Sequence, residues 1–128
     1  METPINNFGL FILNLPQMVA FYRDGPGFEI DWDVNGAYAE FKQEGTRFSM
    51  KERSQLPALL GQTLSFTSGI TGTFEIASDL PFFSEVDSEF ARVAEAGAQP
   101  VNSPRNEPWG MRSSIIADPE GNLIEIGS

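Results

Sequence analysis

The chain reads as an α+β protein built from two βαβββ modules in tandem, and three observations predict it. The order strand, helix, three strands occurs twice along the 128 residues. Each half carries a hairpin signal: Asn35-Gly36 in the first and Asp118-Pro119-Glu120-Gly121-Asn122 in the second. The helical segments also end alike, with Phe21-Tyr22-Arg23 before Gly25 and Phe90-Ala91-Arg92 before Gly97. Self-similarity at this scale is the mark of a duplicated supersecondary unit.

The first module covers about 5–54. Residues 8–13 form a strand and 15–22 a short helix, with Asn14 suited to cap its N-terminus. Asp24-Gly25-Pro26-Gly27 ends that helix. Residues 28–34 alternate strictly and predict a strand. Asn35-Gly36 predicts a two-residue hairpin turn. Residues 37–43 return, Glu44-Gly45 turns, and 46–53 add a further strand. A connection of about 55–70 follows, with one short helix around 57–60. The second module covers about 71–128. Its strand at 72–77 leads into a helix at 84–96, where Ser84 and Asp87 suit the N-terminal end and Gly97 the stop. Val86, Phe90, Val93 and Ala94 share one stripe of that helix. A weak strand at 98–102 precedes the closing hairpin, 111–117 and 123–126. There Pro119 presets the turn and Gly121 can take positive φ.

A chain of this length forms one domain and can bury roughly two-thirds of the surface its unfolded form exposes. It has no cysteine, which excludes disulfides, thiolate metal sites and cysteine nucleophiles. No apolar run approaches the roughly 18 residues of a membrane span. The N-terminal residues carry no basic segment followed by an apolar stretch, so a cytoplasmic location is expected. Eight basic against 18 acidic residues give a net charge of −10. That charge disfavours nucleic acid and anionic membrane as partners.

The closing run Trp109-Gly110-Met111-Arg112 with Asp118-Pro119-Glu120-Gly121-Asn122, and the segment from Phe21-Tyr22-Arg23 to Gly27-Phe28, resemble the vicinal-oxygen-chelate superfamily. This is the group of glyoxalases, bleomycin-resistance proteins and dioxygenases. The resemblance covers essentially the whole chain. It implies a curved mixed sheet around a cavity, with the helices on the outer face. It also implies a small-molecule ligand and a homodimer, for which Trp32 and Phe41 are the candidate contacts.

Strand parity sorts the faces. Phe8, Leu10 and Ile12, Phe48 and Met50, Phe74 and Ile76, and Ile124 and Ile126 belong under the helices. The other face carries Asn7 and Phe11, Arg47, Ser49 and Lys51, Thr73 and Glu75, and Leu123 and Glu125. In metal enzymes of the resembled group a carboxylate at the place of Glu125 binds the metal, usually with histidines and a second carboxylate. The register puts Asn7, Ser49, Thr73 and Glu125 at the four ligand positions. This chain contains no histidine, and one carboxylate among neutral oxygens makes a poor divalent site. No cofactor is therefore expected. The alternative is an oxygen-only site for magnesium or calcium in which Glu75 joins Glu125. The leading reading is a metal-independent binder of small molecules. The rival is a lyase, isomerase or dioxygenase-like enzyme using Glu125 with Glu75, two carboxylates that would raise each other's pKa and supply a general base. Asn7, Phe11, Arg47, Ser49, Lys51, Thr73, Trp109 and Glu125 are the candidate ligand-binding residues. Arg47 and Lys51 would hold an anionic group, with Arg53 less well aimed. Phe11 and Trp109 would offer surface to a planar ligand.

Overall fold

The computed structural model describes residues 4–128. Strand β1 (Asn7–Ile12) leads directly into helix α1 (Leu15–Asp24). Asn14 caps that helix, its Oδ1 accepting from the Gln17 backbone N–H at 3.0 Å. The helix stops at Gly25, whose N–H donates to the Phe21 carbonyl. A Cβ there would lie 2.8 Å from that same oxygen, so glycine is required by the close approach. Strands β2 (Ile30–Trp32), β3 (Tyr38–Phe41) and β4 (Arg47–Glu52) complete the first module. A 3-10 turn (Arg53–Gln55) and helix α2 (Leu56–Leu60) form the connection, and the short helix expected around 57–60 is there. The second module holds β5 (Thr71–Asp79), α3 (Phe83–Glu95), β6 (Gln99–Asn106), β7 (Arg112–Ala117) and β8 (Asn122–Gly127).

Two local expectations differ from the structure. Strand β2 has three residues rather than seven. Its turn begins at Asp33, whose carbonyl accepts from Gly36 N–H at 2.7 Å and whose carboxylate accepts from Asn35 N–H at 3.2 Å. Gly36 is not among the positive-φ glycines, so the two-residue turn on Asn35-Gly36 does not form. A short acidic side chain offering its own acceptor to the backbone competes with the strand ladder. At α3 the N-cap is Phe82, with no side-chain cap. Asp87 turns instead to Arg112 on β7, making two contacts of 2.6 and 2.7 Å.

The modules repeat one topology. Sheet order is β1-β4-β3-β2 in the first and β5-β8-β7-β6 in the second, with β1–β4 and β5–β8 parallel and the remaining pairs antiparallel. The two sheets are not joined into one. On the helix-covered faces Ile12, Met50, Ile124 and Ile126 are buried, and Leu10, Phe48 and Ile76 pack against them, whereas Phe8, expected there too, is 49% exposed at the strand start. Both modules share a single core, in which Leu15, Met18, Val19 and Tyr22 of α1 join Val86 and Val93 of α3. Burial of each such side chain contributes roughly 1.5–3 kcal/mol. An aromatic series of edge contacts runs Tyr22–Phe41–Phe48, and the Phe48–Phe74 stack at 6.4 Å carries it across the module boundary. Phe41 is 6% exposed within this series, and Trp32 is half-buried with its Nε1–H donating to the Gly36 carbonyl at 3.1 Å. Of the two residues expected to meet a second copy, Phe41 is packed into the core of its own chain, while part of Trp32 stays exposed.

The Asp118-Pro119-Glu120-Gly121-Asn122 turn fastens the modules together. Asp118 is 3% exposed. It accepts from the Tyr22 hydroxyl at 2.6 Å, from Glu120 N–H at 2.9 Å, and from Asn122 through both its backbone and side-chain N–H groups. Burial and the Asp118 charge push the Tyr22 hydroxyl well above its usual pKa, so it stays a donor. Glu120 accepts from Leu13 N–H at 2.7 Å and Asn14 N–H at 2.8 Å, which places a carboxylate at the α1 N-terminus. Arg53 sits 3.7 Å from Glu120. A Cβ on Gly121 would fall 1.9 Å from the Gly69 carbonyl oxygen, and its φ is +86°, so no other residue fits between the turn and the connection.

Candidate functional site

Because the helix-covered faces of both sheets meet in one core, their opposite faces point away from it. One chain thus presents two open half-sites. On the first, the parallel pairing aligns Asn7 with Arg47, Gly9 with Ser49 and Phe11 with Lys51. Antiparallel pairing adds Tyr38 opposite Lys51 and Glu40 opposite Ser49. Ser49 is fully buried, and its hydroxyl donates to Asn7 Oδ1 at 3.2 Å. The Tyr38 hydroxyl donates to Glu40 at 2.9 Å, and burial with that bond raises its pKa. The Lys51 ammonium lies 5.8 Å from the centre of the Tyr38 ring. Phe11 is 40% exposed on this face. Arg53 leaves it: its guanidinium lies 4.4 Å from the centre of the Phe66 ring and donates to the Phe11 carbonyl.

On the second half-site Ala77 aligns with Glu125 and Glu75 with Leu123. Glu75 therefore stands diagonally to Glu125 as Asn7 stands to Ser49. The expected register named Thr73 at this place. The structure corrects it, because the pairing shifts between Thr71 and Glu75. Thr73 is left exposed in that irregular stretch, its N–H and hydroxyl turned to the Thr71 hydroxyl. A shift of this kind has no sequence signal in a run whose alternation continues unbroken through it.

Glu125 has a raised pKa. Burial is the largest cause, followed by the charges of Glu75, Asp79 and Glu107. Glu107 behaves oppositely: Arg105 Nε and the Ser113 hydroxyl, each at 2.8 Å, hold its pKa below the ordinary range. Trp109 occupies the β6–β7 turn, closed by Gly110 N–H to the Glu107 carbonyl, and is 69% exposed. It stands on the second module, whereas Phe11, Arg47 and Lys51 stand on the first. Glu75 also lines an open depression of about 440 Å³ with Phe8, Phe48, Phe74 and Ala77. Sequence reasoning missed Tyr38, Glu40, Asp79 and Glu107. Strand parity could have found the first three. Glu107, in a turn, offered no periodic signal.

Asn7 and Ser49 offer side-chain oxygens on the first face, where the Ser49 hydroxyl donates to Asn7 Oδ1, and Glu75 and Glu125 offer carboxyls on the second. Among the described residues no group of three or more histidine, cysteine, aspartate or glutamate side chains is placed to hold a metal ion. The donor set does not fit a histidine–carboxylate centre.

The family model described as Glyoxalase/Bleomycin resistance protein/Dioxygenase superfamily matches residues 5–126. No curated protein matches the sequence. Among solved structures, a glyoxalase-related enzyme from Fulvimarina pelagi superposes with a TM-score of 0.83 at 23% identity, covering 98% of this chain and 88% of that one. A glyoxalase/bleomycin resistance protein/dioxygenase family enzyme from Burkholderia phytofirmans PsJN gives 0.82 at 21% identity, over 98% of each chain. TioX from Micromonospora sp. ML1 gives 0.67 at 21% identity, also over 98% of each. At such identities the likeness is one of fold.

Proposed function

We propose that this chain, which belongs to the Glyoxalase/Bleomycin resistance protein/Dioxygenase superfamily, is a cytoplasmic small-molecule-binding protein that works without a catalytic metal. The observation that carries the reading is the Glu75–Glu125 pair. Glu75 stands diagonally to Glu125 on the neighbouring strand, and burial with the charges of Glu75, Asp79 and Glu107 raises the Glu125 pKa. A divalent cation would find only these carboxylates among neutral oxygens, which is a poor donor set. Among the described residues no helix is long and apolar enough to cross a membrane.

The working form in this reading is a homodimer. Each chain carries an open face with Arg47, Lys51 and Tyr38 and another with Glu75, Asp79 and Glu125. Joining the first face of one copy to the second face of its partner brings basic and acidic halves together and excludes water from both. The ligand is a planar or apolar molecule carrying an acidic group, held by Arg47 and Lys51 with Phe11 and Trp109 as stacking surface. Metal analysis of the purified protein tests the first claim: a stoichiometric metal that survives dialysis overturns it. Light scattering at micromolar concentration tests the second, and a strictly monomeric mass counts against it. A panel of anionic and cationic aromatics against wild type and Arg47→Ala tests the third.

A second reading has one observation in its favour. A carboxyl with a raised pKa next to a carboxylate is the arrangement of a general acid–base pair. In that reading Glu125 gives or takes a proton at a bound substrate while Glu75 sets its pKa, and the protein is a lyase or isomerase. Turnover that disappears in both Glu75→Gln and Glu125→Gln, with ligand affinity retained, would favour the enzyme over the binder.

A further inference from the structure

Glu125 lies on the open face of β8. Its neighbours Ile124 and Ile126 point the other way, at 2% and 4% exposure, into a space the open face does not reach. A partly open cavity of about 190 Å³ lies there, where the two modules meet. Pro26 and Phe28 wall it from the segment after α1, Ser78 and Leu80 from the end of β5, and Ile124 and Ile126 from β8. Water is a poor filling for this cavity. A buried water needs two to four polar partners, and the lining offers the Ser78 hydroxyl and the carboxylate of Glu89, which is already paired with Arg92. An apolar cavity of roughly 150 Å³ lined by aliphatic and aromatic side chains stays dry and takes up benzene. The present volume is of that order, and Pro26, Phe28, Leu80, Ile124 and Ile126 make most of its lining apolar.

Arg92 ties Glu89 to the Gly25 and Pro26 carbonyls, the latter two at 2.6 and 3.4 Å from its guanidinium. Two of the tied residues, Glu89 and Pro26, line the cavity.

We propose that this cavity is a binding site for a small apolar molecule about the size of one aromatic ring. It is separate from the open half-sites, because β8 divides the two.

The test is a methyl-detected NMR titration of the full chain with benzene. The expected result is saturable shifts at Leu80, Ile124 and Ile126, with intermolecular NOEs from benzene to the two isoleucine methyls. Ser78→Leu, which fills the cavity from its wall, should weaken benzene binding at least about tenfold. Leu80→Phe provides the same block from a second position should Ser78→Leu not fold. NOEs at saturating benzene decide the matter in the wild type alone. Their absence, or benzene affinity unchanged in a folded filling variant, overturns the proposal.

Discussion

Two pairs of acidic residues stand on one hairpin and its neighbouring strand, and they do opposite work. Asp118 and Glu120, in the closing turn, are surrounded by donors: a phenol, four backbone N–H groups, an amide and an arginine. Glu125, on the strand that leaves that turn, faces Glu75, Asp79 and Glu107. The first pair is a structural clamp. The second is an unsettled charge. A carboxylate's role follows from what the fold aims at it, and a displacement of a few residues along one strand exchanges one role for the other.

Removing the clamp should have the largest effect. Asp118→Ala leaves the Tyr22 hydroxyl buried without an acceptor and strips the closing turn of its bonds. We expect a loss of about 3 kcal/mol or more, read as a lowered denaturant midpoint with an unchanged slope. A variant within error of wild type would break the contrast at its first term. Glu120→Ala should cost about 1–2 kcal/mol, through the uncapped Leu13 and Asn14 N–H groups and the α1 dipole. Tyr22→Phe should cost about 1 kcal/mol, because Asp118 keeps its donors within the turn. Thermal or urea unfolding measures both.

The open-face pair should respond with the opposite sign. The folded-state pKa of Glu125 lies above its unfolded value, so the folded chain holds this proton more tightly. Stability then falls as pH rises through the window between the two values. Glu125→Gln should consequently be slightly more stable than wild type at neutral pH, with the difference closing below the unfolded carboxylate pKa. Unfolding curves across pH 3 to 7, the span in which ordinary carboxylates titrate, show this. A difference that grows on acidification would reverse the assignment. The smallest effect sharpens the cause. In Glu75→Gln the Glu125 carboxyl, followed by carbon-detected NMR, should titrate nearer its ordinary value without returning to it, since burial is the larger cause. An unmoved titration would remove Glu75 from the account.

The amino-acid sequence by itself determined the two βαβββ modules, the α1 cap at Asn14, the stops at Gly25 and Gly97, and the face of every paired strand that lies under a helix. Each is local: a period of two or 3.6, a capping side chain, a glycine where the chain must turn. Glu125 was legible as a site residue for the same reason, since strand parity places it. The tertiary structure alone decided the rest. The Thr71–Glu75 shift brought Glu75 rather than Thr73 beside Glu125. The shared core consumed Phe41 and most of Trp32. The motif that most strongly suggested the family, Asp118 to Asn122, became the fastening between modules, because Tyr22, Leu13 and Asn14 reach it from about a hundred residues away in sequence. Strand register and long-range contact depend on which distant groups satisfy one another, and no local period encodes that choice.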